Sequence, residues 1–204
     1  MSVFYLIRHG ETYANKLNIM QGTLNSEITK LTIRGQREAS KYKNLLQEYE
    51  IDKVFTSPLA RAIATSQIIC QSNNMPFSVD SRLSEISYGN WNGQKIKTLK
   101  TKYTEHFDQA TNDLKSTSSA ISQGESFKHA RLRIADFISS VSKKYPNDRI
   151  LVVTHGWVIK TFVSLCLPQG SQIILNVPHN LSLTKIGVGE ANLARIYYYN
   201  RQLE

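Results

Sequence analysis

Two histidines in this chain stand where an apolar run ends and a glycine follows: Ile7-Arg8-His9-Gly10 and Val153-Thr154-His155-Gly156. The stretches before them, VFYLI and ILVV, have the length and composition of buried strands. Ligands of an open parallel sheet bind beyond the carboxyl ends of its strands, so both imidazoles are expected at one crevice. A third basic residue joins them. Arg61 falls in the first turn of a helix expected after the short strand KVFTS, with Ser57 as its cap and Pro58 at the first helical position. The glycines let the backbone turn sharply and approach a ligand closely. Helix starts at Pro58 and Gly156 add N–H groups that favour an anion. A pocket with two guanidinium groups, two imidazoles and two helix starts suits a phosphate group.

The elements that must position these residues follow from hydrophobic periodicity. Residues 3–7 form a buried strand, and residues 35–49 a helix whose Ala39, Tyr42, Leu46 and Tyr49 recur at helical spacing. The helix after KVFTS turns Ile63, Ile68 and Ile69 inward, and residues 77–79 make a brief strand. GESFKHARLRIADFISSVSKKY is a long amphipathic helix with Phe127, Ile134, Phe137, Ile138 and Val141 on its apolar side. RILVVT is a buried strand and residues 156–167 a mostly apolar helix. LSLTKIGVGEANLARIYYYN reads as two strands joined through Gly187 and Gly189. Alternation of strand and helix implies parallel strands with helices on both faces. The expected fold is therefore α/β: one three-layer α/β/α domain over residues 1–204, with a mostly parallel central sheet and one antiparallel edge strand. Residues 88–124, rich in Lys, Thr, Ser, Asn and Gln, read as a lid or insertion, with DLKSTSSAISQG inside it as a mobile loop.

At 204 residues the chain can bury a core as one domain without disulfides or metals. Its net charge of +9 raises the question of nucleic acid or an anionic membrane. Yet the 25 Lys and Arg are scattered, with no basic stripe interleaved with aromatics, so no nucleic-acid partner is expected. The densest run, with Lys95, Lys97, Lys100 and Lys102, reads as a solvated helix face. No apolar run approaches membrane-spanning length, and MSVFYLIRHG lacks the features of a signal peptide. No membrane partner is expected. Cys70 and Cys166 read as small apolar residues of buried helix faces in a reducing compartment, which makes the cytoplasm the expected location. His106, His129 and His179 show no metal-ligand spacing, and no cofactor is expected. The pattern leaves the oligomeric state open.

The same residues carry a family resemblance. LIRHGET resembles the signature of the histidine phosphatase superfamily, the phosphoglycerate mutase-like group. The resemblance continues in order through RHGETYAN, QG, LTIRG, TSPLARAIATSQII, LSEISYGNWNG, GESF and VVTHGWVIK. It implies a metal-free reaction in which His9 is the nucleophile, neutral for attack, with Arg8 and Arg61 lowering its pKa. Arg8, Arg61 and a protonated His155 would clamp the charge on the equatorial oxygens, and Asn15 and the Gly156 N–H would donate to the phosphate. Glu85, from the residues alone a surface carboxylate, becomes the general acid on the leaving alkoxide and must hold a proton near neutral pH. Gln21 and Gly22 match a substrate-contact stretch, while TLNSEITK after them is a few residues longer than the usual pattern. Tyr88 and Trp91 wall the pocket or pack the lid.

Hydrolases and mutases share this core. Mutases of the family typically show Glu-Arg-His-Tyr-Gly where this chain has Glu85-Ile86-Ser87-Tyr88-Gly89, an adjacent arginine pair that is absent here, and Trp where Ala14 stands. They also carry a larger lid. Each departure favours water as the acceptor, so the resemblance implies a phosphomonoester phosphatase acting on small phosphorylated metabolites. Two alternatives remain: a phosphoglycerate mutase, or a non-catalytic module that senses a phosphorylated ligand.

Overall fold

A computed structural model describes residues 1–168, 174–189 and 193–203. Six strands form one sheet: β1 (Ser2–Arg8), β2 (Lys53–Thr56), β3 (Ser78–Val79), β4 (Arg149–Thr154), β5 (Leu183–Val188) and β6 (Ala194–Arg201), in the order β3-β2-β4-β1-β5-β6. β1, β2, β3 and β4 are parallel, with Tyr5 opposite Leu151 and Arg8 opposite Thr154. The expected antiparallel pairing lies at the far edge, where β5 runs against β1 and β6 against β5. Gly187 sits within β5, opposite Arg195, rather than in the connection. Residues 190–192 of the expected hairpin turn lie outside the described residues.

β1 and β4 are covered on both faces, which is why they read as unbroken apolar runs. Successive side chains serve opposite layers. Phe4, Leu6, Ile150 and Val152 pack with α7 (Phe127–Lys144) and α8 (Gly156–Leu165). Tyr5, Ile7, Leu151 and Val153 pack with α2 (Ile33–Ser40), α3 (Leu45–Glu48) and α4 (Ala60–Cys70). The helix expected over residues 35–49 is interrupted by a 3₁₀ turn, Lys41–Asn44. Three residues per turn bring Ala39, Tyr42 and Leu45 onto one face, all buried, and the Tyr42 hydroxyl donates to the Leu181 carbonyl at 2.5 Å.

Two further expectations shift. α4 starts at Ala60 with Leu59 as N-cap, so Pro58 lies ahead of the helix rather than in its first turn. Ile69 faces the core with Ala62, Thr65 and Ser66, but Ile63 and Ile68 are only half-buried and face an open groove. Helix α7 is as the spacing demands: Ser126 caps it, accepting from the His129 N–H, and Ile134, Phe137, Ile138 and Val141 are buried. Phe127 is half-buried against Trp157, ring centroids 5.2 Å apart.

Residues 88–124 fold around a small core of their own, in which Trp91, Leu99 and Phe107 join Met20 from the first loop. That first loop holds the short helix α1 (Tyr13–Lys16). Trp91 stacks on Phe107 with an interplanar angle of 8°. The segment contains α5 (Ile96–Lys102) and α6 (Ser118–Ser122). The run expected as a mobile loop thus contains a helical turn, with Ser118 and Ser122 buried. Polar composition conceals it, because the packing partner is backbone. A Cβ on Gly89, whose φ is +52°, would stand 2.1 Å from the Ser122 carbonyl.

Candidate active site

The parallel strands deliver their residues to one cavity of about 450 Å3 at their carboxyl ends. Its wall includes Arg8, His9, Asn15, Gln21, Gly22, Arg61, Glu85, Tyr88 and Gly156, so nine of the ten sequence-predicted residues meet there. The tenth, His155, is fully buried behind His9, with ring centroids 5.2 Å apart.

His9 is fixed in one tautomer. Its Nδ1 donates to the Gly10 carbonyl at 2.8 Å, and its Nε2 accepts from the Arg61 Nε–H at 3.2 Å. An imidazole that accepts at Nε2 and donates at Nδ1 is neutral. Burial first, then the charges of Arg61 and Arg8, push its pKa well below the ordinary value. The Gly10 N–H donates to Thr65 Oγ1, which in turn donates to the Arg61 carbonyl, so the β1 turn and α4 hold each other.

Arg61 is almost completely buried. One terminal nitrogen donates to the Gly22 carbonyl at 2.7 Å and the other to the Leu24 carbonyl at 3.2 Å. Burial lowers its pKa to about 10. Gly22 is needed at its place: its φ is +47°, and a Cβ would stand 2.0 Å from Asn92 Oδ1. Arg8 donates to the Pro178 carbonyl at 2.7 Å, while its buried Nε–H has no partner among the described residues. Such an orphaned charged donor is costly unless a ligand satisfies it. Gly156 begins α8 beside it, with the Arg8 Nε 3.6 Å from where a Cβ would lie.

Asn15 uses its Oδ1 to accept from the Thr12 N–H and hydroxyl, which directs its Nδ2 hydrogens to the cavity. The Gln21 Oε1 lies 3.0 Å from the same hydroxyl and shares its single hydrogen with Asn15. The α4 start contributes less than expected, because the Ala60 N–H donates to Asn25 Oδ1. Glu85 is half-buried with Oε1 accepting from the Ile86 N–H at 3.1 Å and Oε2 from the Trp157 N–H at 3.4 Å. Burial raises its pKa against the pull of Arg61, those N–H groups and Arg8. Burial also pushes the Tyr88 phenol well above its ordinary value.

The surroundings of His155 favour its neutral form, whereas the resemblance implies a proton on it in the phosphate clamp. Burial, then Arg61, His9 and Arg8, push that imidazole well below its ordinary pKa. Its Nε2 meets Ser57 Oγ at 2.6 Å, and its buried Nδ1 has no partner among the described residues.

Three supports escaped the sequence reading. Asn180 Nδ2 donates to the His9 carbonyl at 2.8 Å and reaches Asn15 Oδ1 at 3.4 Å. Arg133 clasps Glu125 and donates to the Arg82 and Ser84 carbonyls, which locks the backbone entering Glu85. Ser57 is the third. Asn180 and Arg133 act on backbone carbonyls, while Ser57, read from the sequence only as a helix cap, acts through its Oγ on the His155 ring. Of the three, the eight-residue step from Glu125 to Arg133 offered a signal. Trp91 is buried in the core of residues 88–124 and does not line the cavity. His129 and His179 are exposed, whereas His106 is half-buried beside Trp91, its Nδ1 3.1 Å from Thr117 Oγ1.

Comparison with known proteins gives a consistent picture. The model of the histidine phosphatase superfamily (branch 1) matches residues 4–200. The adenosylcobalamin/alpha-ribazole phosphatase of Escherichia coli is 29% identical over 160 residues, spanning 78% of this chain and 76% of its own. A probable phosphoglycerate mutase, GpmB of Erwinia tasmaniensis, is 28% identical over 184 residues, with 89% and 83% covered. The solved structure of Bacillus stearothermophilus YhfR superposes with a TM-score of 0.81 at 26% identity, covering 100% of this chain and 98% of that one.

Proposed function

The chain belongs to the histidine phosphatase superfamily (branch 1), and we propose that it is a phosphomonoester phosphatase that hydrolyses small anionic phosphometabolites through a phosphohistidine at His9. The observation that carries this reading is the His9 tautomer, with Nδ1–H committed to the Gly10 carbonyl and Nε2 turned to Arg61 in the cavity.

The phosphoryl group enters among the unsatisfied donors: the Arg8 Nε–H, the Asn15 amide and the α8 start at Gly156. The Arg61 Nε–H transfers from Nε2 to a phosphate oxygen, which releases the lone pair. Nε2 then bonds to phosphorus as the ester oxygen leaves, and Glu85 gives that oxygen its proton. The Gly10 carbonyl supports the positive charge that develops on the ring. Water, deprotonated by Glu85, next attacks the phosphohistidine and frees phosphate. His155 gains its proton when the dianion is bound and closes the clamp with Arg8 and Arg61. No step calls for a metal, so activity should survive EDTA. Residues 88–124 act as the lid of a single domain, and the cytoplasm is its place of work.

The test is acid quenching during turnover of a radiolabelled phosphomonoester. Label on the protein, absent in His9→Ala, is expected. No label, together with hydrolysis retained by the variant, would overturn the reading. A mutase is disfavoured by Ile86 and Ser87 beside Glu85 and by Ala14. Efficient isomerisation of 3-phosphoglycerate with its bisphosphate primer would restore it. Ligand-induced stabilisation without turnover would point instead to sensing.

A further inference from the structure

The cavity that holds His9 has a second charged end. Lys100 from α5 and Lys160 from α8 line the same space as Arg8 and Arg61, each held by a residue of the loop after Phe107. Resting on the phosphoryl site proposed above, we propose that this end is a subsite for one carboxylate. The preferred substrates are then short phosphomonoesters with a carboxylate at the end remote from the ester.

The charge count sets the class of ligand. Lys160 is ion-paired with Asp113, both side chains mostly shielded, at 19% and 33% exposure. Lys100 donates to the neutral Asn112 Oδ1 at 3.1 Å and lies 5.9 Å from the centre of the Phe107 ring. Among the described residues it forms no ion pair. Two ammonium groups against one carboxylate leave a single uncompensated positive charge, which matches a monoanion. A second phosphate would bring a dianion up to Asp113, which repels it. Lys95, Lys97 and Lys102 are exposed and do not line the cavity.

Geometry agrees with charge. Gly156 and Lys160 lie four residues apart on α8, so they share a face with a rise of about 6 Å between them. A three-carbon chain can bridge that span. The loop that presents Asn112 and Asp113 is closed on itself. Asp108 Oδ1 accepts from Ala110, Thr111 and the Thr111 hydroxyl, the Asp108 N–H donates to the Asp113 carbonyl, and Phe107 bridges to Leu114. The cations are therefore held in place before substrate arrives.

The test compares kcat/KM for 3-phosphoglycerate with that for glycerol 3-phosphate, which has a hydroxymethyl group in place of the carboxylate. The wild-type ratio should favour the carboxylate by about tenfold, the ordinary size of one charge-assisted hydrogen bond. Lys100→Met should bring the ratio close to one. Asp113→Asn should raise it further and improve fructose 1,6-bisphosphate, because it removes the competing counter-charge. This gain also separates the subsite from a merely structural ion pair. A wild-type ratio within twofold of one would overturn the assignment, as would a ratio indifferent to both substitutions or a bisphosphate preferred by the wild type. Turnover of p-nitrophenyl phosphate in the same preparation reports the reaction itself. If that is absent, binding of the same two esters to His9→Ala protein reads the subsite: a tenfold preference for the carboxylate supports it, and a ratio within twofold of one overturns it.

Discussion

His155 is fully buried and faces Arg61, His9 and Arg8, and burial together with those groups holds its pKa well below the ordinary value. This arrangement has a measurable cost in acid. In the unfolded chain the imidazole titrates near its ordinary value of 6.5. The fold holds its pKa well below that, so at acid pH the unfolded chain binds the proton and the fold refuses it. Stability must then fall as pH drops through the unfolded value. Between pH 7.5 and 5.5 one such group removes about 1.4 kcal/mol, and His9 and His155 together about 2.7 kcal/mol. Glu85 works in the opposite sense, since its raised pKa makes the fold the better proton binder between its unfolded and folded values. Comparison with His155→Asn isolates the term, because Glu85 and the remaining histidines are common to both proteins. Urea unfolding at the two pH values, in buffer without phosphate or sulfate, should show the wild type losing about 1.4 kcal/mol more than the variant. Sulfate, which stays dianionic over this range, should stabilise the wild type more at pH 5.5 than at 7.5, because it gives the imidazolium a counter-charge. Equal acid losses in the two proteins would show that the fold leaves the His155 pKa at its ordinary value, and the electrostatic reasoning would fail.

Arg61→Lys removes the Nε contact to His9 and both carbonyl anchors, and should lower kcat for p-nitrophenyl phosphate about 10²–10³-fold in steady-state assays. Glu85→Gln should cost an alkyl phosphate about 10²–10⁴-fold in kcat but p-nitrophenyl phosphate far less, since nitrophenolate leaves without a proton. In the wild type kcat for the alkyl ester should fall as pH rises through the raised carboxyl pKa, and the variant should lack that decline. Arg133→Leu frees the Ser84 carbonyl and should flatten the same pH profile while leaving phosphate inhibition in place. Trp91→Ala empties the small core over the cavity and should destabilise residues 88–124 by about 3–5 kcal/mol. Hydrogen exchange should then quicken there and not in β1 or β4.

The strands were legible because covered parallel strands need unbroken apolar runs, and the chain has few ways to satisfy both faces of β1 and β4 at once. Arg8, His9, Arg61, His155 and Gly156 were legible for a related reason: each follows such a run or falls in the first turn of the next helix, where backbone direction is already fixed. Asn15, Gln21, Gly22 and Glu85, by contrast, were read only from the family resemblance. Asn180 was legible in neither way. It lies far along the chain in a stretch with no period, and its role is a hydrogen bond to the His9 carbonyl, which no side-chain pattern announces. The same holds for the 3₁₀ turn that interrupts residues 35–49, where Tyr42 is set by a carbonyl at Leu181. Lys100 and its three lysine neighbours looked alike in sequence. Only the fold of residues 88–124 turns one of them into the cavity.

The partners chosen for the two arginines explain why the pocket waits for an anion. Arg61 is anchored by the carbonyls of Gly22 and Leu24, and Arg8 by that of Pro178. Among the described residues neither makes an ion pair. A carboxylate within contact distance would neutralise each guanidinium, and a phosphate would then have to displace it. Carbonyl dipoles orient the same groups but leave their charge uncancelled, and burial lowers the pKa of both arginines. Burial first, and that uncancelled charge beside it, hold His9 and His155 well below the ordinary imidazole pKa, so the lone pair that the proposed attack needs depends in part on how the arginines are held. Glu85 is near enough to feel both arginines, yet burial outweighs them and lifts its pKa. Glu85 can then carry a proton beside two cations, as an acid must if it is to protonate a leaving alkoxide.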